Sequence, residues 1–177
     1  MNRSIRWIAR TAILLALTVM FQSLRLWIPA MPSNISQTVV GSLVNLCLIV
    51  AAVMMGIRGG LIIALAAPII ALIQGFTPSP VLVVPIAFGN FVLVVMASLL
   101  YDKNPILAVV TGAVLKFITL YLGVVKIVLP FFLPNAPDKM RAALSAQFSW
   151  PQLVTAGIGG VLAVGILTVL RKSVREE

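Results

Sequence analysis

Long apolar stretches, broken by short polar or proline-rich ones, dominate the pattern of this chain. A helix needs roughly 20 apolar residues to cross a bilayer. Six stretches fit that length: 5–28, 38–56, 60–76, 80–101, 105–132 and 150–170. Each gap between them has a mechanism for stopping a helix. Pro29, Pro32 and Ser33–Asn34 end the first stretch, and Gly59–Gly60 separate the second from the third. Thr77-Pro78-Ser79-Pro80 and Asp102-Lys103-Asn104-Pro105 close the third and fourth. Pro134, Pro137 and a polar run to Ser149 precede the last. The pattern predicts an all-α membrane bundle of six transmembrane helices, with residues 1–177 forming a single transmembrane domain. The third stretch is the shortest and carries Pro68.

Within the stretches, small and polar residues recur at helical steps of three and four, which share one face. Gly41, Asn45, Leu48, Ala52 and Gly56 form one such stripe, and Ala64, Ala67, Ala71 and Gln74 another. Gly112, Lys116, Thr119 and Gly123 line up in the fifth stretch, and Gln152, Ala156, Gly159 and Ala163 in the sixth. Small residues let membrane helices approach closely, so these stripes are expected to face the bundle interior.

Composition sharpens the picture. Of 177 residues, 61% are hydrophobic and 10% charged, against about 25% charged in a soluble domain. A soluble enzyme, a nucleic-acid module and a disordered tail are all excluded. A net charge of +9 is therefore read as positive cytoplasmic loops rather than a nucleic-acid surface. Six spans put both termini on one side. That side carries eight Lys and Arg (Arg3, Arg6, Arg10, Arg58, Lys103, Arg171, Lys172, Arg175), against Arg25, Lys139 and Arg141 on the other. Both termini are accordingly expected in the cytoplasm, and the basic ends can also meet anionic lipid. A cleaved signal peptide is the weaker reading of the first stretch. Its apolar run is longer than a usual h-region, and Arg25 precedes the only suitable small-residue cut.

The inventory limits the chemistry. With no His and one Cys (Cys47), imidazole catalysis, a CxxC metal or redox motif and an internal disulfide are unavailable. The four acids, Asp102, Asp138, Glu176 and Glu177, fall in connections or at the C-terminus, so no intramembrane carboxylate can relay protons. There is no P-loop. Neither an enzyme, a cofactor nor a metal is called for.

Polar groups in hydrocarbon are costly and usually face the bundle or a cavity. Gln22, Asn45, Gln74, Asn90, Lys116 and Lys126 are those groups here. At about 1.5 Å per residue, they fall in the outer half, which describes a pocket open to the outside rather than a pore. Each has a plainer alternative. Asn and Gln can simply bond a neighbouring helix, and Lys126 can snorkel to the interface. Lys116 is too deep to snorkel. A central Lys costs roughly 2.5–3.5 kcal/mol on insertion scales. With no acid in the spans, an anionic or carbonyl-rich ligand is the natural completion; backbone carbonyls, water or loss of the proton are the alternatives. Trp150, beside Pro151, belongs to an interfacial aromatic belt or stacks on a planar ligand.

This layout resembles the substrate-binding S component of an energy-coupling factor (ECF) transporter, a prokaryotic vitamin importer. Ala12 and Ala16, in the run A-I-L-L-A, are similar to the AxxxA motif of those proteins. Gly89-Asn90 with Leu115-Lys116 resembles polar positions that hold substrate in some of them. The resemblance covers essentially the whole chain. It implies a multi-pass protein of a prokaryotic plasma membrane that captures a vitamin outside. It also implies a T transmembrane subunit, packed on Ala12 and Ala16, and two ABC-type ATPases as partners. On that analogy Asn45, Gln74, Asn90, Lys116, Lys126 and Trp150 are the candidate substrate contacts. The connections 29–37 and 134–149 are outer lids. The whole subunit topples to release substrate. Pantothenate, nicotinate, biotin-like acids and flavins all remain open, whereas a cation such as thiamine lacks a counter-charge. The competing classes are a stand-alone small-solute carrier or channel and a packing-only membrane protein.

Overall fold

A computed structural model describes residues 3–30 and 32–175, and across them the chain is helical without strands. Glu176 and Glu177 lie outside the described residues, as do the side chains of Arg3 and Arg175. Five helical stretches are long and apolar enough to cross a membrane: Ser4–Trp27, Asn34–Ile73, Pro80–Leu100, Pro105–Phe132 and Asp138–Lys172. The count differs from the expected six because the second and third stretches are joined in α2 (Ser33–Ile73). As a straight rod its 41 residues would reach about 60 Å at about 1.5 Å per residue, twice the hydrocarbon thickness of about 30 Å.

It is not a straight rod. Gly56 has φ 71° and ψ −174°, a conformation open essentially to glycine alone. The contacts around the break show that the chain folds back there. The Lys116 ammonium donates to both Asn45 and Asn90, and the Asn90 amide donates to the Ala64 carbonyl. Three hydrogen bonds thus connect Asn45 to Ala64, which an unbroken helix would hold about 28 Å apart. The arms 33–55 and 57–73 lie side by side. The expected break at Gly59–Gly60 therefore moves to Gly56. Gly59 and Gly60 are helical, and Gly60 admits Val94, whose Cγ1 would sit 2.5 Å from an added Cβ.

The other elements follow their sequence cues. α1 (Arg3–Trp27) leads into α2, and α3 (Val83–Leu100) follows a 3₁₀ turn at Pro80–Leu82. α4 (Pro105–Leu120) starts with Asn104 accepting from the Leu107 amide at 3.1 Å and Pro105 in the first turn, where neither costs an intrahelical bond. It continues as a π-helix from Tyr121 to Phe132. The polar run before Ser149, expected as a plain connection, contains a further helix, α5 (Asp138–Gln147), before α6 (Pro151–Arg175).

Two apolar clusters hold these elements. The larger is built on Leu48, Ile49, Ile63, Leu93, Val94, Ala163 and Leu167, from α2, α3 and α6. The smaller joins Leu82, Leu120, Val124, Val128, Leu129, Leu144 and Phe148, and so fastens α5 over the ends of the neighbouring helices. α1 packs chiefly on α2. The predicted stripes face inward: Ala52, Ala64, Ala67, Ala156 and Ala163 are almost wholly buried.

The bundle has two distinct ends. At the first, the Trp7 indole donates to the Met55 carbonyl at 3.1 Å, beside the Gly56 turn. There Arg171 also pairs with Asp102 at 2.6 Å, bringing the end of α6 to the α3–α4 connection. At the second lie the α1–α2 connection, the 74–82 segment and α5.

Candidate functional site

Lys116, Asn45 and Asn90 converge inside the bundle. Lys116 is 4% exposed, Asn45 2% and Asn90 3%. Lys116 Nζ donates to Asn45 Oδ1 at 2.5 Å and to Asn90 Oδ1 at 2.7 Å. An ammonium has three donors, so the two amides take two of them. Side-chain carbonyls from two other helices are thus partners of Lys116 that the sequence did not single out for it.

The amides are themselves oriented. Asn90 Nδ2 donates to the Ala64 carbonyl at 3.4 Å and Asn45 Nδ2 to Thr155 Oγ1 at 3.4 Å. Thr155 donates to the Gln152 carbonyl at 3.2 Å, and Gln152 Nε2 to the Gln147 carbonyl at 3.1 Å. A polar chain therefore leads from Lys116 through α2 and α6 to the end of α5. Its local basis is close packing. A Cβ on Gly159 would stand 2.5 Å from the Ser42 carbonyl and 2.7 Å from Asn45 Cβ. α6 thus rides directly on the α2 turn that presents Asn45.

Above this triad is a cavity of about 100 Å³, lined among others by Gln22, Arg25, Asn45, Asn90, Lys116 and Gln152. The charged side chains among its described lining residues are Arg25 and Lys116; no acid is among them. Gln22 Nε2 donates to the Ala67 carbonyl at 2.9 Å, while its buried Oε1 has no partner. Beyond the cavity, toward α5, lies a larger cleft of about 920 Å³ bordered by Asn34, Ala143 and Trp150.

Arg25, Gln37, Phe76 and Gln147 border both spaces. Arg25 Nη2 donates to Gln37 Oε1 at 2.7 Å, and the guanidinium lies 5.1 Å from the Phe76 ring centre. Phe76 is set there by a Schellman turn. Gly75 has φ 79°, its amide donates to the Leu72 carbonyl, and the Phe76 amide donates to the Ala71 carbonyl. Four separate segments thus meet at the partition between cavity and cleft.

The structure does not gather all six candidate contacts. Gln74 donates to Ser23 Oγ at 3.0 Å, between α1 and α2, and does not line the cavity. Lys126 is exposed and sits 5.6 Å from the Tyr121 ring centre. It lies in the π-helix, off the face that carries Lys116. Trp150 is 69% exposed and borders the cleft. Ala12 and Ala16 are exposed on α1, beside Ile5, Ile8 and Ile13. The polar cavity-lining residues that sequence reasoning passed over are Arg25 and Gln37, whereas Gln152 stood on an expected inward stripe without being named a candidate contact. A signal was present: Thr18, Gln22 and Arg25 form a polar stripe at steps of four and three.

Comparison with known proteins bears on this arrangement. Neither a search of curated proteins nor one of solved structures found a match. A family model described as "ECF transporter, substrate-specific component" matches residues 6–171. The chain, an all-helical multi-pass membrane protein with a buried ammonium beneath an internal cavity, belongs to the substrate-specific component family of ECF transporters.

Proposed function

We propose that this S component captures a small anionic or carbonyl-rich micronutrient, vitamin-like in size, outside a prokaryotic cell. A T transmembrane subunit and two ABC-type ATPases then drive its uptake. Residues 1–177 act as one transmembrane domain. The two arms of α2 each cross the plasma membrane, giving six spans with both termini cytoplasmic. The end that holds the start of α1, the Gly56 turn and Asp102 also carries Arg6, Arg10, Arg58, Lys103, Arg171 and Lys172, in keeping with the positive-inside rule. The cavity then faces outward beneath α5.

The observation that carries this reading is the Lys116 ammonium between two amide carbonyls at the base of a cavity with no acid in its lining. Its third N–H is the contact for a ligand oxygen, and Asn45 and Asn90 hold it in position. Exposed Ala12 and Ala16 provide a shallow strip on α1 for the T subunit, since small residues permit close helix approach. Lys126 and Trp150 serve as outer contacts on the ligand's path rather than at its final seat, and Gln74 braces α1 against α2.

The test is mass spectrometry of small molecules released from the protein purified in mild detergent, beside a Lys116→Met variant that elutes and melts as a folded protein. A stoichiometric compound present in the first and absent from the second is expected. The same compound in both preparations would refute the role of Lys116. Solute flux in liposomes holding this chain alone would favour a stand-alone carrier instead.

A further inference from the structure

The partition between cavity and cleft is made by a charged side chain, and that choice is informative. A guanidinium at the outer end of a membrane helix can reach water, yet Arg25 is turned inward to Gln37 and Phe76. Its Nε is buried with no hydrogen-bond partner. Apolar side chains would separate two spaces without desolvating a charge. With Arg25 in place the cavity is about 100 Å³, also well below the roughly 300–1,000 Å³ of small-molecule sites. A ligand larger than a few atoms therefore cannot sit on Lys116 while Arg25 holds its present partners. Moving Arg25 joins the cavity to the cleft of about 920 Å³ and leaves a second cation at the rim of the enlarged site.

We propose that Arg25 is a substrate-binding residue, and that the ligand carries two acidic groups, one for Lys116 and one for Arg25. This rests on the substrate-capture reading above and names the substrate class. The spacing follows from α2. Arg25 is held by Gln37 and Lys116 by Asn45, just over two turns apart on one arm, about 12 Å at about 1.5 Å per residue. The two acids are thus on the order of 10 Å apart. Gln22 Oε1, buried and unpartnered in the cavity wall, accepts an N–H or O–H from the ligand's middle. On binding, the outer acid takes the place of Gln37 on the guanidinium as a bidentate partner, so the group that shuts the empty cavity also clasps the filled one.

Straight-chain α,ω-dicarboxylates from six to ten carbons and their monomethyl esters are the probes, titrated calorimetrically into the full chain in mild detergent. Each pair has the same length and nearly the same apolar area and differs by one charge. The diacid of best-fitting length is expected to bind at least tenfold more tightly than its half-ester. Arg25→Gln should abolish the diacid's preference over its half-ester. Arg25→Lys, which keeps the charge, should retain most of the preference and controls for folding. Lys116→Met should abolish binding of both. Equal affinity of diacid and half-ester, a preference that survives Arg25→Gln, or no binding of any of these acids overturns the proposal. If a compound is still released from the wild-type protein and lost in Lys116→Met, the substrate-capture reading stands and only the two-acid ligand fails.

Discussion

An ammonium buried between two amide carbonyls is solvated by dipoles but not neutralised. Asn45 and Asn90 satisfy two donors of Lys116 and bring no negative charge of their own that would compete with an incoming anion. Replacing one amide by a carboxylate should reverse that balance. Asn45→Asp would place a fixed counter-ion at hydrogen-bond distance in a low-dielectric site, where charge-assisted bonds are roughly twice as strong as neutral ones. The empty protein should melt at a higher temperature, and anion affinity should fall at least tenfold, read by thermal melting and by titration on one preparation. Asn45→Leu should instead leave both Lys116 and Thr155 short of a partner, lowering stability by about 1–3 kcal/mol. The convergence of Lys116, Asn45 and Asn90 was legible in part: Asn45 and Lys116 lay on inward stripes of small residues, and Asn90 was one of the few polar groups within the apolar stretches. The role of Arg25 was not, since an arginine that ends a span and one that lines a cavity look alike until the partner segments are placed. Gln37 and Phe76, its partners, come from two other parts of the chain.

At the level of elements, close helix contacts set the position of the site. Gly159 has the Ser42 carbonyl and Asn45 within reach of any added Cβ. Gly159→Ala must push α6 off α2, and overpacking of this kind costs about 1–3 kcal/mol. Because the displaced turn carries Asn45, ligand affinity should fall with stability. Gly165, on the same helix, has nothing within 4 Å of an added Cβ, so Gly165→Ala should leave both unchanged or raise stability slightly, as melting and titration of the pair will show. The fold-back makes a separate demand. Gly56→Ala forces a side chain into a conformation costing about 1–3 kcal/mol and should lower the melting temperature although no atom lies within 4 Å of the new Cβ. Sequence pattern located this turn only to within a few residues. Gly56, Gly59 and Gly60 are all competent, and nothing local says which adopts positive φ and which admit a neighbour. α5 was missed for another reason. Its ten residues are flanked by prolines and polar groups, and it is held by Leu144 and by Phe148 just beyond its end, packed against distant residues, not by a long apolar run of its own.

Across the whole molecule, α1 stands apart. It packs chiefly on α2 and presents Ile5, Ile8, Ala12, Ile13 and Ala16 outward. If that face docks the T subunit, Ala12→Leu with Ala16→Leu should leave titrated ligand affinity unchanged in the isolated chain. The same variant should abolish ATP-dependent uptake when reconstituted with the partner subunits. Loss of affinity in the isolated chain would contradict this division of labour. The apolar stretches and their inward faces could be read from the sequence, since the bilayer imposes length and polarity directly, although two of the six expected stretches join in α2. The partition between cavity and cleft could not, because it depends on how four segments meet.

That partition has a consequence in time. If Arg25 and Phe76 bolt the cavity of about 100 Å³, as proposed, it fills only after that bolt is drawn. At low ligand concentration the observed rate of association should climb in proportion to concentration. At high concentration it should level off at the rate at which Arg25 leaves Gln37 and Phe76, a ceiling set by the protein and shared by every ligand. Phe76→Ala, which removes one side of the bolt, should raise that ceiling in stopped-flow traces. It should also quicken escape, so that the molecule captures faster and forgets sooner.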